Sequence, residues 1–144
     1  MKFLVLIRHF IEFIIFKIIF LLLNFFSIKI SSIIFRNIFM FLGRISKYNK
    51  IAKNNCKIVY PNFNNKQISV IINNSWKNLG SNLYELNYLK KIINDKNSIK
   101  IKGLEVVKKI KKENKPVIFF SIHSGNWEIC VPILDKYGFA IGAI

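Results

Sequence analysis

Acidic residues are scarce in this chain: 7 Asp and Glu stand against 23 Lys and Arg in 144 residues, a formal charge of +16. Such an imbalance favours a polyanionic partner, whether anionic lipid headgroups, a phosphorylated glycolipid or nucleic acid. Cysteine is also scarce. Cys56 and Cys130 lie far apart with no CxxC spacing, which removes both a zinc ribbon and a disulfide framework from consideration and suits a reduced, cytoplasm-facing catalytic part. There are two histidines, and His9 sits in the apolar N-terminal stretch, so a metal site built on His123, Glu128 and Cys130 lacks a second histidine. Missing too is any aromatic stacking module or nucleic-acid motif. With hydrophobic residues at 52% and 14 Phe, the basic charge rides on an apolar body, the opposite of a solvated nucleic-acid-binding tail, and a membrane surface fits better.

From Phe3 to Ile28 the sequence is nearly continuous Ile, Leu and Phe, and a span needs about 20 apolar residues to cross about 30 Å of hydrocarbon. Arg8, His9, Glu12 and Lys17 interrupt it, each costing about 2.5–3.5 kcal/mol at a bilayer centre on insertion scales. No small-residue cleavage site comes after it, so a retained transmembrane anchor over residues 1–28 is expected rather than a secretory signal. The next stretch carries Lys29, Arg36, Arg44, Lys47, Lys50 and Lys53 with no acidic residue, which places it and the remainder of the chain on the cytoplasmic side.

Residues 29–97 read as a membrane-proximal helical region. A helix is expected from Ser31 to Phe41, stopped by Gly43. A polar helix then runs from Ile45 to Val59 and closes at Tyr60-Pro61, since the residue before proline avoids the α region. A long helix from Lys66 to Ile93 completes a hairpin, with Ile68, Ile72, Trp76, Leu79, Leu83 and Leu86 at helical spacing and Trp76 as a core aromatic. Heavy use of Ile, Lys and Asn reflects base-composition bias, so isolated surface Lys and Asn carry little weight.

Residues 98–144 change character. Ser98 to Lys102 alternates like an edge strand, Gly103 opens a basic amphipathic helix over Leu104 to Lys112, and Pro116 to Ile122 is a short apolar run of the kind that makes a buried parallel strand. A helix from Ser124 to Lys136 and a strand from Phe139 to Ile144 would complete a βαβ unit, so the expected fold class is α/β.

HSGNWE, His123 to Glu128, comes directly after the apolar run, where a parallel strand's carboxyl end opens onto a ligand crevice. Ser124 is placed to cap the helix and Gly125 to allow close backbone approach. A carboxylate held on one ring nitrogen fixes the imidazole tautomer, leaving the other nitrogen to take a proton from a hydroxyl. Free helix N–H groups beside it, around Ser124, Gly125 and Asn126, are candidate contacts for a phosphate or a developing oxyanion. The plainer alternative is a His–Glu capping pair at a helix start. Cys130 reads as a small core residue.

HSGNWE after an apolar strand resembles the first, HX4E, motif of the lysophospholipid acyltransferase superfamily. The chain is more closely similar to the lipid A biosynthesis lauroyl/myristoyl acyltransferases. Their A-x-x-N-x-x-x-x-[FY]-P pattern is met by Ala52, Asn55, Tyr60 and Pro61, and their Trp-x-Asn-Leu-Gly segment by Trp76, Asn78, Leu79 and Gly80; Gly103 fits after the edge strand. The resemblance covers the whole chain in order and implies a three-layer αβα acyltransferase sheet, incomplete here because the arginine-bearing second motif of the family does not appear before Ile144. It implies an enzyme of late lipid A acylation at the cell inner membrane. His123 would be the base on an acceptor hydroxyl and Glu128 its orienting group. Acyl carrier protein would be the donor and a lipid A precursor the acceptor, with anionic membrane lipids as neighbours and neither cofactor nor nucleic acid. The rival expectation is a non-catalytic remnant or membrane-anchored basic lipid-binding segment. A glycerophospholipid acyltransferase is disfavoured by Glu128 in place of Asp and by the Trp76 segment.

Overall fold

The computed structural model describes residues 2–95 and 97–142. Seven α-helices appear among them: α1 (Lys2–Leu23), α2 (Ile28–Ile45), α3 (Tyr48–Val59), α4 (Asn65–Glu85), α5 (Leu89–Asn94), α6 (Leu104–Glu113) and α7 (Cys130–Lys136). Short 3-10 turns at Leu86–Tyr88 and Trp127–Ile129 precede α5 and α7.

Local chemistry sets the boundaries. Ser27 caps α2 by accepting the Ile30 N–H, and the buried Ser31 hydroxyl donates to the Leu23 carbonyl at 2.8 Å, tying the end of α1 to the start of α2. Asn64 and Gln67 form a reciprocal capping box that starts α4. Gly103 and Asn114, both left-handed, bracket α6.

The core lies where α1, α2 and α4 meet. Leu23, Phe35 and Tyr84 are its buried centre, and Phe20 stacks on Tyr84 at 5.3 Å between centroids while Phe35 contacts Phe16, Phe20, Phe39 and Tyr84. Each such buried aromatic contributes roughly 1.5–3 kcal/mol from area alone. Close approach of α2 and α4 requires Gly80: a Cβ there would come within 2.8 Å of the Arg36 Cα and 2.9 Å of the Phe35 carbonyl oxygen. Arg44 Nε donates to the Asn73 side-chain oxygen at 2.8 Å farther along the same pair.

Several expectations are corrected. The sequence pattern predicts an α/β chain, but no strand occurs among the described residues, and the segments 98–102, 116–122 and 139–142 are non-helical backbone without ladder partners. A strand exists by pairing, and the 116–122 run, apolar on both faces, would need neighbours on both sides. Here Ile118 and Phe120 are 85% and 96% exposed instead. Phe119 of the 116–122 run lies edge-on to Phe139 of the last run at 5.2 Å. Residues 143 and 144 of the last expected strand lie outside the described residues.

The expected transmembrane anchor over residues 1–28 is also overturned: no helix among the described residues is long and apolar enough to cross a membrane. α1 is apolar in bulk, but Arg8, Glu12 and Lys17 divide it, and it ends in a turn at Asn24 with the Asn24 N–H on the Phe20 carbonyl. Gly43 does not stop α2. It lies within the helix, beneath Trp76. The long helix expected to run to Ile93 breaks at Leu86, and the helix expected from Ser124 begins only as a 3-10 turn at Trp127, so Ser124 caps nothing.

Candidate active site

The HSGNWE segment is a loop between the 116–122 run and α7, held chiefly by the face of α4 that carries Asn78, Asn82 and Glu85. Positions i, i+4 and i+7 share one side of a helix. Asn78 Nδ2 and Asn82 Nδ2 both donate to the Gly125 carbonyl, at 3.0 and 2.7 Å, which saturates that oxygen's two lone pairs. Asn126 Nδ2 donates to Glu85 Oε2 at 2.8 Å, and Ser32 on α2 donates its hydroxyl to Glu85 Oε1 at 2.9 Å. A carboxylate thus joins α2, α4 and the loop.

This attachment leaves His123 exposed and turned against Trp127, ring centroids 4.9 Å apart. Glu128 is half-buried in the 3-10 turn. Both stand on one loop, and among the described residues no hydrogen bond joins them. Ser124 is exposed, its N–H on the Ile122 carbonyl at 2.8 Å, and Gly125 adopts φ +58°, a left-handed conformation that glycine takes without strain. Asn126 is half-buried, and its Oδ1 is buried without a partner. Cys130 is half-buried in α7, its Sγ 3.9 Å from the Ser121 hydroxyl.

Hollows among the described residues lie elsewhere. An apolar groove of about 260 Å³ between α3 and α4 is lined by Ala52, Cys56, Ile71, Ile72, Ser75, Trp76 and Leu79. A more polar one of about 290 Å³ lies among α5, α6 and α7. Neither of these two is lined by His123 or Glu128.

Sequence reasoning names His123, Ser124, Gly125, Asn126 and Glu128, which are neighbours in the chain; the first four lie on the loop and Glu128 in the 3-10 turn after it. It misses Ser32, Asn82 and Glu85. The legible signal is a polar stripe at 78, 82 and 85 running beside the apolar stripe of Ile72, Leu79 and Leu83 on α4.

The sequence model of a family described as bacterial lipid A biosynthesis acyltransferase matches residues 1–144. The chain belongs to that family. Its class is therefore acyl transfer in lipid A synthesis, with an acyl donor and a lipid A precursor as substrates. No curated protein and no solved structure matches the chain.

Proposed function

We propose that the chain takes part in late acylation, passing a fatty acyl group from its thioester on acyl carrier protein to a hydroxyl of a lipid A precursor. His123 takes the hydroxyl proton as the oxygen attacks the thioester carbonyl, and the proton goes on to the departing thiolate. Glu128 orients the imidazole; bonds of this kind are often open without substrate and close around it. Ser124, Gly125 and Asn126 lie beside the reacting groups as substrate contacts. The observation that carries the reading is the fixed HSGNWE loop presenting an exposed imidazole one short turn from a carboxylate. In this reading residues 98–144 hold the acyltransferase chemistry and residues 29–97 the helical support.

The setting we propose is the inner membrane's cytoplasmic face, where a soluble carrier protein can deliver the acyl group. Exposed Phe3, Leu6, Phe10, Phe13 and Leu21 on α1 support a helix lying in the interface, and the basic residues of α2 and α3 support attraction to anionic lipid.

The test is transfer of labelled acyl groups from acyl carrier protein to a tetra-acylated lipid A precursor in membranes carrying the chain. His123→Ala is expected to lower the rate by about 10²–10⁴-fold. Activity indifferent to both His123 and Glu128 would remove the assignment, and would leave the second reading, a basic lipid-binding segment, which the exposed α1 face favours.

A further inference from the structure

We infer that Glu85, with Asn82 and Asn78, forms a latch that positions the HSGNWE loop, so that three residues of α4 set where His123 and Glu128 stand. The inference rests on the acyltransferase reading of His123 and adds residues that touch no reacting atom. The two residues gripped, Gly125 and Asn126, fall midway between His123 and Glu128, so a shift of either moves both ends of the pair.

The bonds are those of a positioning device. Asn82 is 3% and Ser32 8% exposed, so their polar groups are not surface decoration. Glu85 spends one oxygen on Ser32 of α2 and the other on Asn126, which anchors the carboxylate to the helical core before it reaches the loop. Tyr84, its neighbour in sequence, is a buried centre of that core. Because a carboxylate only accepts, Asn126 must turn its Nδ2 toward Glu85, and the amide is fixed in orientation. Its Oδ1 is buried beside this bond, so the whole amide sits inside the contact between loop and helix.

Substitutions at position 85 separate positioning from bulk stability. Glu85→Ala removes both bonds. Glu85→Gln keeps them, since its carbonyl oxygen accepts from Asn126 and its amide donates to the Ser32 hydroxyl. In the membrane assay, Glu85→Ala is expected to lower kcat per folded molecule by about 100-fold, the scale of a small misplacement of reacting groups, with KM for the donor unchanged. Glu85→Gln is expected to restore most of the rate. Equal loss in Gln and Ala variants, or an unchanged kcat for Ala, overturns the latch.

Hydrogen exchange supplies a reading independent of activity. The side-chain amide of Asn126, which donates to Glu85, should exchange about tenfold faster in Glu85→Ala, with the interior of α2 and α4 unchanged. Unaltered exchange at that amide refutes the latch. If transfer ignores His123, the enzymatic reading fails, and the exchange comparison still decides whether α4 holds the loop.

Discussion

The indole of Trp76 on α4 lies over Gly43 on α2 so closely that a methyl group at position 43 would stand 2.2 Å from the ring. Gly80 makes the reciprocal approach, seating α4 on the backbone of α2 beside Phe35 and Arg36. The helix pair is therefore keyed at two points, one on each helix. Trp76 also donates its Nε1–H to Asn49 of α3 at 3.4 Å, so the same ring orders three helices.

Both glycines are predicted to resist alanine. A helical Gly→Ala change ordinarily gains up to about 1 kcal/mol of propensity, but overpacking costs about 1–3 kcal/mol. At position 80 the obstructing atoms include backbone, which cannot turn aside, so Gly80→Ala should lose more than Gly43→Ala, where a ring can tilt. Denaturant unfolding followed by helical circular dichroism measures both, and a stabilised Gly80→Ala protein would contradict the packing described.

Phe35 is 1% exposed and touches four other aromatic rings. Phe35→Ala is predicted to cost about 3–5 kcal/mol, the range for aromatic truncation in a core. Tyr84→Phe keeps the stacking on Phe20 and loses only a hydroxyl contact to Tyr88, so its cost should be about 1 kcal/mol or less. Equal losses in the two variants would place the core elsewhere.

The elements most legible in the sequence are those whose causes are local. α6 is expected over Leu104 to Lys112 and is found at Leu104–Glu113, because Gly103, Asn114 and an amphipathic repeat act within a few residues. α3 ends at Val59 for the similar reason that Tyr60-Pro61 cannot continue it. The strand reading of 116–122 depends on distant partners that no apolar run can name. The site shows the same division: its five residues are legible as one motif, whereas Asn82 and Glu85 act on residues about forty positions away. The charges of α1 are plain in the sequence, and together they outweigh its apolar bulk as a membrane-crossing helix.

Asp95 closes α5. Its carboxylate accepts from the Ser98 hydroxyl at 2.6 Å and the Asn97 N–H at 3.0 Å, and these bonds, the hydroxyl first, hold its carboxyl below the usual carboxylate range. A folded-state value below the unfolded one means the turn's contribution is complete above the ordinary aspartate pKa of about 3.9 and is lost as pH falls through the lower folded value. Ser98→Ala should move the Asp95 midpoint upward in a carboxyl NMR titration. A midpoint that does not move would show that the hydroxyl is not the cause.

Gly125 offers the most direct test of backbone geometry at the site. Its φ of +58° is left-handed, and a Cβ built there meets no atom within 4 Å, so any penalty of Gly125→Ala comes from the backbone and not from crowding. That penalty is about 1–2 kcal/mol for an L-residue, enough to let the segment rotate and turn the Gly125 carbonyl away from Asn78 and Asn82. Asparagine visits this region more readily than alanine does. Gly125→Ala is therefore predicted to lower acyl transfer by about tenfold, with helical content intact, and Gly125→Asn to lower it less. Steady-state rates on the two variants, normalised to folded protein by circular dichroism, decide the matter. Equal rates for Ala and Asn would mean that the left-handed turn does not set the position of His123.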